Sequence, residues 1–366
     1  MAISTTNLPI SNVKVGIKAE TDGNFGVGLD SSGADGTAYR QLPIVQPTKP
    51  TFNVTRESRL LSGRGLVKHA NDTILNTRGG TITMPFEMIA TPKLLAQHLA
   101  LVAQEHSESG SYVHLTEIGG QGTHISSIGG GLTNNIPHTV NLAYYPAAAE
   151  GIKVTGVMCS DLTLSMDYGT NGGFMTMSGN YFSGFSNPVS TGSVLEQTFD
   201  GSWVAPETTG YYNVGDLSTK TLTVDGANMD VVLKNFSVSI SNGVNRVGFN
   251  SNGDAEAYSI PELTVTGSMT IKYDANADYG AGENVIQDFL DGDTLAIALN
   301  IGDGTVSSVG EANIAMNVQY TGDPAQDISE NGIFHSLAFE GVTTGASDTN
   351  EALQLSVFNG ESQSAW

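Results

Sequence analysis

Cysteine, positive charge and long apolar runs are all scarce in this chain, and each scarcity excludes something. Cys159 is the single cysteine among 366 residues, so no disulfide can form within the chain and nothing requires an oxidising compartment. No apolar run approaches the roughly 20 residues that span a bilayer, so membrane insertion is not expected. The start, Met1-Ala-Ile-Ser-Thr-Thr-Asn7, lacks a basic segment followed by an apolar core, which argues for folding in a cytoplasm. Lys and Arg number 15 against 37 Asp and Glu, a formal charge of −22. Affinity for phosphate rests on clustered Lys and Arg, so ordinary nucleic-acid binding is disfavoured.

The shortage of cations is uneven. Residues 1–180 hold 11 Lys and Arg and 13 Asp and Glu, a balance of −2; residues 181–366 hold 4 and 24, a balance of −20. Like charges repel in a compact state, so the imbalance serves either solubility or an acidic surface facing another polyanion that it does not bind.

Catalytic and metal-binding patterns are missing too. Of seven histidines, His69, His98, His106, His114, His124, His138 and His335, no two show the HxxxH spacing of a helical metal site. No GxSxG elbow is present, and Cys159 reads as a small buried residue. Gly63-Arg-Gly65 with Lys68 lacks the spacing of a phosphate loop. Asp274-Ala-Asn-Ala-Asp278-Tyr-Gly280 has the oxygen alternation of a calcium loop, but Val285 stands where the bidentate Glu belongs. Turn chemistry explains that stretch, a weak calcium site being the alternative. No enzyme, cofactor or metal is expected.

What the chain does contain is glycine (44 residues) and short alternating segments rich in Thr and Ser, with only 14% charged residues. That composition favours short strands and many turns. The order of elements occurs twice. In the first pass, strands at Phe52–Arg56 and Gly80–Met88 precede a helix at Leu94–Val102, entered through Thr91-Pro92. Strands at Val140–Tyr144, Leu162–Met166 and Phe174–Ser178 follow. In the second, Phe236–Ile240 and Val265–Tyr273 precede a helix at Asn284–Leu290 and strands at Thr294–Leu299, Ala312–Tyr320 and Ile333–Glu340. Pro85 argues for an edge or bulge position.

The boundaries expected are an extended N-terminal arm at 1–50, a first unit at 51–184, a linker at 185–220 and a second unit at 221–366. Residues 107–139, broken by Gly119-Gly-Gln-Gly122 and Gly129-Gly-Gly131, read as an insertion. Trp203 is expected to anchor the linker by packing, and Trp366 to dock the C-terminus.

The layout resembles the major tail tube proteins of long-tailed bacteriophages, of the type carrying two units. The resemblance lies in Phe52-Asn-Val-Thr-Arg-Glu-Ser58, Gly79–Met88 with the helix after it, Leu162–Asp167 with Phe174–Gly179, and Phe236–Ile240 with Pro261–Tyr273. It covers about residues 50–358 and is one of layout. It implies an all-β fold: two tandem β-sandwich or split-barrel units, each with one short flanking α-helix, plus the arm. It implies self-assembly into a ring of three double-domain subunits, or six subunits, with rings stacked into a virion tail assembled in the host cytoplasm. Partners would be the tape measure protein, the tail terminator and tip proteins, and double-stranded DNA passing through an acidic-walled channel. On that reading Arg56, Arg59, Arg64, Lys68 and Arg78 are candidate inter-subunit contacts, and Asp167, Asp274 and Asp278 candidate lumen-facing acids. The alternatives are a glycan- or receptor-binding β module of a virion, or a capsid or decoration protein.

Overall fold

Alternation of apolar with Ser and Thr residues dictates most of this fold, because period-two patterning buries one face of a strand and wets the other. A computed structural model describes residues 13–19, 39–58, 73–104, 107–109, 113–119, 139–146, 151–184, 203–206, 211–212, 222–224, 227–228, 233–249, 255–272, 285–301, 311–329, 332–344 and 351–359. The first half runs β1 (Lys14–Ala19), β2 (Tyr39–Gln41), β3 (Thr51–Ser58), β4 (Thr73–Ile89), α1 (Pro92–Ala103), β5 (Ser107–Ser109), β6 (Val113–Ile118), β7 (Val140–Tyr145), β8 (Ile152–Asp167) and β9 (Thr176–Ser183). After β10 (Trp203–Val204) come β11 (Leu222–Val224), β12 (Ala227–Asn228), β13 (Leu233–Ser241), β14 (Asn245–Val247), β15 (Ala257–Ser259) and β16 (Thr264–Lys272). The chain then forms α2 (Val285–Asp291), β17 (Leu295–Ile301), β18 (Ala312–Tyr320), β19 (Ala325–Ser329), β20 (Gly332–Gly341) and β21 (Leu353–Phe358).

One set of pairings occurs twice. In the first half β2 pairs β1, β1 pairs β7, β7 pairs β8, β8 pairs β9, β9 pairs β4 and β4 pairs β3. In the second, β12, β11, β17, β18 with β19, β20, β16 and β13 follow the same sequence of neighbours. The pattern thus starts ahead of residue 51, at β1. The two halves are continuous, because β8 also pairs β13 from Asp161↔Ser241 to Asp167↔Asn235.

The split-barrel expectation is overturned. Among the described residues no sheet closes on itself. Closure requires the last strand of a sheet to pair with the first; here the 19-stranded sheet branches instead. On one edge of β8 the N-terminal half binds β7 and the C-terminal half binds β13, while β9 holds the opposite edge. The fork falls at a bulge between Cys159 and Asp161, which lets a 16-residue strand change partners along its length. β18 forks likewise, its N-terminal end pairing β21 and its C-terminal end β20. All the sheet is antiparallel except for β2 with β10, and β14 with β15 forms a separate hairpin.

Helix α1 is buried around its whole circumference, including Gln97 and His98, and packs on β8, β6, β21 and β13. It is therefore a core helix rather than the flanking one that the resemblance implied. Thr91 occupies its N-cap with extended backbone and Pro92 its first position, but the Thr91 side chain makes no cap bond. Pro85 lies where the partner segment leaves the ladder of β4, between Thr51↔Thr83 and the bridge Ile44↔Met88, so its missing N–H costs no pairing there. Trp203 of β10 lies beside Tyr39, the rings tilted by 36° with centres 5.6 Å apart, and the Lys14 ammonium lies 5.7 Å from the Trp203 ring centre. The 107–139 stretch contributes β5 and β6, and β6 pairs the C-terminal strand β21 from Val113↔Phe358 to Ile118↔Leu353. Trp366 lies outside the described residues.

Candidate assembly interface

Pairing joins β3, β4, β9, β8, β13, β16, β20 and β19, in that spatial order, into one continuous antiparallel sheet. Its inner face holds Met84, Met177, Leu164, Val238, Met269 and Leu337, all buried. The opposite face is built of hydroxyls and amides. One row across it reads Glu87, Ser178, Thr163, Ser239, Thr266 and Glu340. The row beside it reads Thr176, Ser165, Ser237, Ser268 and Ala338. Thr163 Oγ1 and Ser239 Oγ lie 2.7 Å apart, bridging the two halves.

Charge on that face is sparse and acidic at its centre. Both carboxylate oxygens of Asp161 accept from Asn180 Nδ2 at 3.1 Å, and Ser160 Oγ donates to Oδ2 at 2.7 Å. Neither row contains Lys or Arg. Lys234 and Lys272 stand at one end, where the Lys234 ammonium is 5.0 Å from the centre of the Phe334 ring.

Of the acids singled out from sequence, Asp167 is half-buried at the end of β8, and its Oδ1 accepts the Gly169 N–H at 2.6 Å. It therefore sits on the polar face while holding a turn. Asp274 and Asp278 lie outside the described residues, as do Arg59, Arg64 and Lys68. Arg56 is in β3 opposite Leu75, and Arg78 is in β4. Asp161, Glu87 and Glu340 were missed in the sequence. Their positions alternate with apolar neighbours on strands, a signal that marks the wet face but not which sheet it belongs to.

Among the described residues, Cys159, His98, Tyr181 and His114 are absorbed in packing. Cys159 is fully buried, and burial together with the nearby Asp161 charge pushes its thiol well up. His98 is buried, which lowers its pKa to about 4 despite a hydrogen bond to Leu94 O that favours the charged ring. Its Nδ1–H donates to Leu94 O at 2.6 Å, so Nε2 accepts from Tyr181 Oη, also at 2.6 Å. Tyr181 stacks on Phe86 with ring centres 4.4 Å apart, and burial raises its hydroxyl well above the usual tyrosine range. His114 Nε2 contacts Asn359 Oδ1 at 2.8 Å, tying β6 to the end of β21. Among the described residues no group of three His, Cys, Asp or Glu could hold a metal ion, and no helix is long and apolar enough to cross a membrane.

No curated protein matches the chain. A family model does, that of the phage tail tube protein, and it covers residues 10–348. Membership of a structural family fits a non-enzymatic, virion-associated role in oligomeric assembly with other tail components. With nearly the whole chain matched, the protein belongs to the phage tail tube protein family.

Proposed function

We propose that the chain is the wall subunit of a tail tube, that its two passes are equivalent units, and that three copies make a ring with six-fold pseudo-symmetry. In this reading 51–184 and 221–366 hold the two units, residues 1–50 form an arm whose strands β1 and β2 complete the first unit, and 185–220 the linker. Rings stack, the tape measure protein occupies the lumen during assembly, and terminator and tip proteins close the ends. What supports the reading is the continuous sheet, whose two halves share one strand order and whose polar face has no cation in its central rows. Such a face lets double-stranded DNA pass during ejection, because phosphates find hydroxyls and carboxylates and few counter-charges. Glu87, Asp161 and Glu340 join Asp167 as lumen-facing acids, with Asp274 and Asp278 extending the set. The basic stretch carrying Arg56, Arg59, Arg64, Lys68 and Arg78 docks on the acidic second half of a neighbour.

Electron microscopy of the purified full-length chain tests this. The expected result is hollow rods whose class averages repeat six times around the axis at low resolution and three times at high resolution. A chain that stays monomeric and binds glycans, or that forms closed shells, would refute it.

A further inference from the structure

The joint between the two halves of the continuous sheet is visible within one chain, and it specifies a second joint that the chain cannot make with itself. Across the visible one, Tyr168 N–H donates to Lys234 O and Asn242 N–H donates to Ser160 O, each at 3.1 Å. Alternation between those ends makes Leu162, Leu164 and Met166 the β8 residues whose backbone bonds face β13. Their side chains lie beside Ile240, Val238 and Phe236, and all six are buried.

In the second half β19 holds the place of this C-terminal part of β8. Val157 faces Ser183 as Val318 faces Gly341, and Thr163 faces Ser178 as Ala325 faces Ser336. Ala325 thus corresponds to Thr163, and Ile328 to Met166. In the first half the place of β13 belongs to the start of β3 and the residues before it. Phe52 faces Ile82 as Ile240 faces Val265, so Thr51 corresponds to Ser239.

These two places differ from their counterparts in one respect. The edge of β8 has β13, but among the described residues no strand pairs with the outer edge of β19 or of Thr51–Asn53. Ile328 is 72% exposed where its counterpart Met166 is 2% exposed. Val45, on the segment leading into β3, is 59% exposed. An edge strand with an exposed apolar side chain is an association site unless something covers it. Each copy carries both edge types, and β8 with β13 supplies the register in which their counterparts pair.

We propose that Ala325–Ser329 of one copy adds antiparallel to the Pro47–Thr51 edge of the next, with Ala325 opposite Thr51, so that the contact between copies repeats the β8–β13 joint. The inference rests on reading the chain as a ring subunit, and it names the strands and their register. Pro50 lacks an N–H but keeps its carbonyl, which accepts from Gln326 in this register. It also weakens pairing with other strands. A heterologous contact that repeats the rotation of the internal joint closes three copies into a ring when that rotation is about one sixth of a turn.

Cysteines at Thr51 and Ala325 test the register, since both positions are exposed and the only native thiol, Cys159, is buried. The T51C/A325C double variant is assembled, oxidised with copper phenanthroline and run on a non-reducing gel. Covalent multimers are expected from the double variant, and none of that pattern from either single variant. Ile328→Pro, which removes an outward N–H on β19, is expected to lower assembled material at least tenfold while the monomer melts at its original temperature. Assembled tubes that stay uncrosslinked, or I328P tubes as abundant as the wild type, would overturn the proposed register and leave the tube reading standing. A wild-type chain that never assembles would overturn both.

Discussion

Replacing Asn242 by alanine removes a side chain that is fully buried and bonded on every side. Its Nδ2 donates to Val102 O at 2.9 Å and to Cys159 O at 2.7 Å, and its Oδ1 accepts the Val244 N–H at 3.1 Å. Val102 lies in the last turn of α1, Cys159 at the bulge of β8, and Asn242 itself directly after β13. One amide therefore fixes three elements at the fork where the two halves meet. Alanine leaves two carbonyls and one N–H without these partners, each costing about 1–3 kcal/mol when buried. Water entering the vacated space recovers part of that, so the net loss should be about 4 kcal/mol. Urea unfolding of unassembled protein measures it from the shift in midpoint at constant slope. Asn242→Asp keeps the volume and the acceptor but loses both donors and buries a charge, so it should destabilise more than alanine. A loss below about 1 kcal/mol for Asn242→Ala, within the range of an ordinary surface change, would refute the assigned role.

Two further outcomes are expected. His98 titrates near 4 in the folded chain against 6.5 when unfolded. The unfolded chain therefore binds the extra proton between those values, and stability complete above pH 6.5 falls by about 3 kcal/mol as the pH drops to 4. His98→Gln should flatten that slope; a denaturation profile with the same slope in both proteins would contradict it. Reversing Arg56, Arg59 and Arg64 to Glu should weaken polymerisation in sedimentation velocity without lowering the monomer melting temperature, and undiminished rods would count against their docking role.

Strand existence was legible in the sequence wherever one face is apolar. Leu162, Leu164 and Met166 alternate with Thr163, Ser165 and Asp167, and the structure places them in β8. The helices also fall where Thr91-Pro92 and the 284–290 stretch put them. Partner choice was not legible, because period-two patterning says which face is buried and nothing about which strand lies beside it. That is why split barrels were expected where the sheet stays open and β8 pairs β13 side by side. Short strands also escaped notice: β11 with β12, and β19, are too brief for alternation to register. The place of Asp167 on the polar face was legible from its alternation with Met166, whereas the exposure of Ile328 was not, since an isoleucine on a strand reads as core.

The fork of β8 has a mechanical consequence. At about 3.3 Å per residue, a 16-residue strand spans about 50 Å, long enough to serve two layers. Its N-terminal half carries β7, β1 and β2, and its C-terminal half lies in the continuous sheet. No loop separates these roles, only the bulge at Ser160, whose carbonyl Asn242 engages through its backbone N–H while its side chain holds Cys159. A load on the continuous sheet therefore passes to β7, β1 and β2 through unbroken backbone rather than through a loop. In the ring proposed above, the β8–β13 pairing and the Asn242 bonds at its fork are what hold the angle between the two halves.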